Sequence, residues 1–124
     1  MVTIALLVAA ALAQNPATPV EQPPDVTVMK AALGGMCTAD FTVKDAAGKP
    51  VYGASVHVRV RYGFMGVKRA DLDVGTSSLG KARVEGLPDK AKPLEWEVQK
   101  EMKRASAEQL VESNCNAKFD VTLK

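Results

Sequence analysis

One histidine, two cysteines and one tryptophan are all that 124 residues supply of these types, and aromatic residues reach only 5%. A zinc site built from Cys and His therefore lacks ligands, and most hydrolytic triads lack a base. No Gly-x-Ser-x-Gly, phosphate-binding glycine loop or His-Glu-x-x-His occurs, so a non-catalytic protein without a cofactor is expected. A dominant charge sign is also missing, because 16 Lys and Arg stand against 14 Asp and Glu, giving a formal +2. Nucleic-acid domains cluster far more cations, so DNA and RNA are not expected partners. What is present is a globular composition, 47% hydrophobic and 24% charged, at a length that suits one domain.

Met1 to Ala13 reads MVTIALLVAAALA, apolar except for Thr3, and ends in the small-x-small triplet Ala11-Leu12-Ala13. This is a signal-peptide pattern, although no Lys or Arg precedes the apolar run. A helix of that length rises only about 20 Å, short of a hydrocarbon core of roughly 30 Å, so no transmembrane segment is expected in the mature chain. Residues 1–13 are read as a signal peptide, with a periplasmic or secreted destination. Leu33 to Cys37 superficially resembles a lipidation box, but Met36 precedes the Cys and the apolar run lies far upstream. Residues 14–35 form a lead-in whose Pro16, Pro19, Pro23 and Pro24 keep its first part extended. Val26 and Val28 alternate like an edge strand before Gly34 and Gly35 break the pattern.

From Cys37 the side-chain period is two. Cys37, Ala39, Phe41 and Val43 share one face; Ala54, Val56, Val58, Val60 and Tyr62 share another. Asp45 to Pro50 carries turn chemistry between them, and Tyr62 to Gly66 reads as a loop or bend. Ala70, Leu72 and Val74 mark a third strand, and Gly75 to Gly80 implies a hairpin into a strand containing Ala82 and Val84. Leu94, Trp96 and Val98 mark a further strand that takes the Trp into the core, and Cys115 to Leu123 alternates clearly. Residues 100–113 hold good helix formers and permit one short helix, with a frayed connection as the alternative. The expected fold is all-β, an antiparallel immunoglobulin-like (transthyretin-like) sandwich of about seven strands over residues 36–124.

Cys37 and Cys115 open the first and last of these strands in a shared pattern, CTADFTV and CNAKFDV, with both thiols facing inward. In an exported chain that placement predicts a disulfide. The pair lacks the Cys-x-x-Cys spacing of a redox site.

His57, Arg59 and Arg61 lie on one outward strand face and could bind a carboxylate, phosphate or glycan, unless Glu95 and Glu97 on a neighbouring strand neutralise them. Lys68 and Arg69 extend the basic character to the loop after the Gly-flanked Phe64-Met65. Asp71-Leu72-Asp73 mimics the start of a calcium loop, but Thr76 and Ala82 stand where its Gly and bidentate Glu belong. No metal site is expected. Met29, Met36, Met65 and Met102 with His57 offer soft ligands for copper, and a small-ligand or copper carrier is the alternative function. Without a Met cluster, these Met residues read more simply as core filling.

Phe41 to Val56, FTVKDAAGKPVYGASV, resembles the opening of carboxypeptidase regulatory-like domains, and Gly75 to Pro88, GTSSLGKARVEGLP, resembles the continuation of that pattern. The resemblance covers about half the chain and implies the sandwich fold together with a non-catalytic accessory or interaction role on exported proteins. After Pro88 the chain departs from the family, with Asp89-Lys90-Ala91-Lys92-Pro93 and a Trp-bearing strand. The transthyretin-like hydroxyisourate hydrolases share the fold class, but they use several active-site His and Arg residues and a Tyr-Arg-Gly-Ser ending, whereas this chain ends Asp-Val-Thr-Leu-Lys. The expected function is an exported binding or scaffolding module for another cell-envelope component, a protein or a glycan.

Overall fold

Alternation of Val with polar side chains from Ser55 to Tyr62 buries Val56, Val58 and Val60 completely, and the same rule builds the rest of the molecule. A computed structural model describes residues 25–124; the run 1–13, expected to be a signal peptide, and the Pro-rich part of the lead-in lie outside the described residues. Eight strands follow in chain order: β1 Thr27–Lys30, β2 Cys37–Asp45, β3 Ser55–Tyr62, β4 Lys68–Gly75, β5 Lys81–Leu87, β6 Leu94–Lys100, β7 Lys103–Gln109 and β8 Asn116–Leu123. They form two four-stranded sheets, ordered β1-β5-β2-β8 and β4-β3-β6-β7. Among the described residues the only helical element is a 3-10 turn at Phe64–Gly66. The fold is an all-β sandwich.

Four expectations are corrected. The sheet β1-β5-β2-β8 is mixed, because β1 runs parallel to β5 and β2 parallel to β8. Residues 27–30, expected as part of the lead-in, supply its edge strand. The segment from Gly75 to Gly80 is not a hairpin: β4 and β5 belong to opposite sheets, so it carries the chain across the core. Thr76 holds this crossing, its buried hydroxyl accepting from the Ala54 N–H at 2.9 Å and donating to the Val51 carbonyl at 2.6 Å. Finally, the helix permitted in 100–113 is strand β7, which pairs along its whole length with β6 after a turn at Glu101, φ 57°. Ala105 and Ala107 pack against the core while Arg104, Ser106 and Glu108 are exposed, so burial of one face overrides helix propensity.

Parallel pairing of β2 with β8 sets CTADFTV beside CNAKFDV in register, with Phe41 opposite Phe119. The two similar sequences occupy neighbouring positions in one sheet and therefore meet the same core. Cys37 and Cys115 form a disulfide at its head, with a Cα–Cα distance of 4.6 Å and a sequence separation of 78. Trp96 from the opposite sheet packs edge-on to Phe41, ring centroids 4.9 Å apart.

Among the described residues Gln109 is the largest buried polar side chain. Gln109, fully buried at the end of β7, accepts from the Trp96 indole N–H at 3.1 Å. Its amide nitrogen donates to the carbonyls of Thr38 at 3.1 Å and Asn114 at 2.9 Å. Both donors of the amide are used and its oxygen is paired, so the side chain ties β6, β7 and β2 together inside the sandwich.

Candidate functional site

Period two places His57, Arg59 and Arg61 on the outer face of β3, and antiparallel register with β4 decides what each one meets. His57 stands opposite Asp73, with Nδ1 3.2 Å from Oδ1, and Arg59 stands opposite Asp71, its Nε–H donating to Oδ1 at 3.0 Å. The hydrogen bond with Arg59 lowers the Asp71 pKa and raises that of Arg59. These pairs are solvent-exposed and screened, so they balance charge more than they stabilise the fold. They also engage both carboxylates of the sequence that mimicked a calcium loop.

The neutralising acids therefore come from β4, not from Glu95 and Glu97 as expected. β6 does lie beside β3, with Glu97 in register with His57. Glu95 and Glu97 line the far side of a shallow groove of about 480 Å³ whose near side is His57, Arg59 and Arg61.

At the other end of the strand the pattern inverts. Arg61 stands directly opposite Arg69, and Tyr62 opposite Lys68. Like charges facing each other across a ladder oppose pairing. Among the described residues neither Arg61, Lys68 nor Arg69 forms a salt bridge. A further cation joins them from the connection before β6: Lys92 donates its backbone N–H to the Arg61 carbonyl at 3.0 Å, and Ala91 bridges to Tyr62. Lys90 lines an adjoining groove of about 230 Å³, where Glu112 is the acidic side chain. Sequence reasoning missed Lys90 and Lys92, whose signal was the departure from the family pattern after Pro88.

Between these cations β3 and β4 are joined by Gly63 to Val67. Phe64, Met65 and Val67 are 82%, 78% and 71% exposed. The turn closes through backbone hydrogen bonds from Gly66 to Gly63 at 3.1 Å and from Val67 to Phe64 at 3.2 Å. Met65 adopts φ 56°, in the left-handed region that non-glycine residues enter at a cost of about 1 kcal/mol. Gly63 and Gly66 flank it, also at positive φ, and the lysine stems fill the space where their side chains would be. A Cβ on Gly63 would sit 3.1 Å from Lys68 Cδ, and one on Gly66 would sit 3.1 Å from Lys92 Cε. Lys68 also holds its ammonium 6.0 Å from the Tyr62 ring centroid.

Elsewhere, Cys37, Asp89 and Cys115 form the one cluster of metal-ligating residue types among the described residues. With the sulfurs joined they are not thiolates, and the Asp89 carboxylate instead accepts the Met36 backbone N–H at 3.1 Å. The methionines are not core filling as expected: Met36, Met65 and Met102 are exposed and only Met29 packs against the core. Met65 and Met102 sit at opposite ends of their sheet, at the β3–β4 and β6–β7 turns, so they do not converge as soft ligands.

No family model matches the chain, that of carboxypeptidase regulatory-like domains included, and no curated protein matches it. Solved structures do match its fold. Catechol 1,2-dioxygenase from Pseudomonas arvilla C-1 aligns with a TM-score of 0.57 at 11% identity, covering 87% of this chain and 59% of that one. The dioxygenase domain of a dioxygenase carbohydrate-binding protein fusion from Streptomyces sp. SirexAA-E aligns with a TM-score of 0.52 at 14% identity, covering 86% and 94%. 3-Chlorocatechol 1,2-dioxygenase from Rhodococcus opacus 1CP aligns with a TM-score of 0.51 at 13% identity, covering 85% and 68%. The chain spans about three-fifths of the Pseudomonas enzyme, and likeness at this identity establishes a shared β-sandwich and nothing about activity.

Proposed function

We propose that this chain is an exported, non-catalytic β-sandwich module of the carboxypeptidase regulatory-like type, which binds another cell-envelope component through the basic end of the sheet β4-β3-β6-β7. The observation that carries the reading is the split along β3: His57 and Arg59 face carboxylates, whereas Arg61 faces Arg69 with Lys68 and Lys92 beside it. Cations held together against their mutual repulsion are a surface that an anionic partner completes. The run 1–13 with its small-x-small ending and the pairing of Cys37 with Cys115 support export.

The test has two parts. Intact mass of the protein recovered from its host reads export directly: loss of residues 1–13 and two hydrogens fewer than the dithiol form are expected, and an unprocessed reduced chain contradicts the reading. Crosslinking in the native envelope then reads binding. A specific adduct, to an envelope protein, glycan or lipid, that disappears in the Arg61→Ala, Arg69→Ala variant supports the module, and the absence of any adduct in the unaltered protein refutes it.

A further inference from the structure

Nine large apolar side chains are exposed among the described residues, but only Phe64, Met65 and Val67 fall within four consecutive positions. Their exposure is built into the backbone. The turn is closed by its own hydrogen bonds, and Met65 is held in a left-handed conformation although its side chain contributes nothing to the core. An apolar projection on a small domain marks a contact surface. What surrounds it identifies the contact. Lys68 and Lys92 lay their methylene stems along Gly63 and Gly66 on either side of the turn, with Arg61 and Arg69 one step behind on the strands. Exposed apolar groups in the turn, with cations on the adjoining strands and connection, match the layering of an anionic bilayer, acyl chains first and phosphates above.

We infer that the β3–β4 turn seats the domain on an anionic phospholipid bilayer. Phe64, Met65 and Val67 enter the headgroup–acyl boundary, while Arg61, Lys68, Arg69 and Lys92 engage lipid phosphates. Acids border the patch in the two grooves beside it: Glu112 shares one with Lys90 and Lys92, and Glu95 and Glu97 share the other with Arg61 and Lys92. The inference rests on the basic end being the binding surface and names its partner. A closed turn in place of an amphipathic helix gives a shallow, reversible attachment, in which apolar contact and charge are both required.

The test uses the full chain with Phe64→Trp, so that the reporter reads the turn whatever residues 1–13 do; Trp96 is fully buried and its signal is subtracted with the unaltered chain. Vesicles of phosphatidylcholine with about a third phosphatidylglycerol are compared with phosphatidylcholine alone, each also prepared with brominated acyl chains. Expected on the anionic vesicles are a blue shift of the reporter emission and its quenching by the brominated lipid, both weakened at high salt. Adding Arg61→Ala and Arg69→Ala should reduce the apparent affinity by about tenfold or more. The companion Phe64→Ser, Met65→Ser chain should lose a comparable factor in cosedimentation while its melting temperature is unchanged, since neither side chain packs in the core. A reporter signal that stays solvent-like on anionic vesicles overturns the inference, whether or not the chain sediments with them. If that happens while the envelope still yields a specific protein adduct at the basic end, lipid seating fails and the module reading stands; if neither binding is seen, both fail.

Discussion

The two ends of strand β3 have the same sequence logic and opposite outcomes. From Ser55 to Tyr62 every second residue is a buried Val or a half-buried Tyr, and the outward side chains from His57 onward are all basic. At one end each outward basic side chain meets an Asp of β4; at the other it meets an Arg. Nothing within β3 distinguishes the two. The difference lies in the partner strand, so a basic stripe acquires its meaning from register, and a patch that looks continuous in sequence is divided in space.

That contrast holds only while the frame that sets the register stays intact, and the largest effects are expected there. Replacing Cys37 and Cys115 together by Ala reopens a loop of 78 residues in the unfolded ensemble, with an expected loss approaching roughly 4.5 kcal/mol in urea unfolding. Gln109→Leu comes next. It leaves the Trp96 indole N–H and the Thr38 and Asn114 carbonyls without their partner, and about 3 kcal/mol of destabilisation is expected by the same measurement. Both substitutions should weaken the two ends of β3 alike, because they act on the sheets and not on the stripe.

Smaller effects separate the ends. Arg69→Asp extends the Asp73, Asp71 series by one pair and gives Arg61 a carboxylate to face. The melting temperature should rise by about 2 °C as a like-charge pair becomes an opposite-charge one, while envelope binding is lost. A gain of stability with a loss of function would set this end apart from the paired one. Asp71→Asn probes the paired end. The folded-state pKa of Asp71 is depressed by the Arg59 hydrogen bond, so its contribution is present above the unfolded carboxylate value of about 3.9 and is lost as pH falls through the folded value. Urea midpoints of the variant and the unaltered protein should therefore differ slightly at neutral pH and converge in strong acid. Envelope binding should not change.

Strand faces were legible in the sequence because one side of each strand is buried, and a period of two records that directly. Cys37 to Val43, Ala54 to Tyr62 and Leu94 to Val98 present the expected residues to the core, including Trp96. Period two reports the face and not the neighbour, which is why the parallel pairing of β2 with β8 and the crossing at Thr76 were not legible. β7 was hidden because Ala105 and Ala107 are small and good helix formers; only pairing with β6 and the anchored Gln109 decide in favour of a strand. Gln109 itself reads as a surface residue until its three partners are known. The same limit divides the candidate site. All five basic residues, His57, Arg59, Arg61, Lys68 and Arg69, were evident by type, whereas their division into a paired and an unpaired group needs the register with β4. Lys92, brought beside them by its backbone hydrogen bond to Arg61 and by packing of its stem on Gly66, needs the fold.

The central claim is that the unpaired end of β3 is the working surface and the paired end is not. The most direct measurement compares two double variants in the native envelope, Arg61→Ala with Arg69→Ala and His57→Ala with Arg59→Ala, and quantifies by mass spectrometry the chain retained on the envelope. Loss of retention in the first and near-complete retention in the second is the expected result. Equal loss in both, or loss only in the second, would contradict the account.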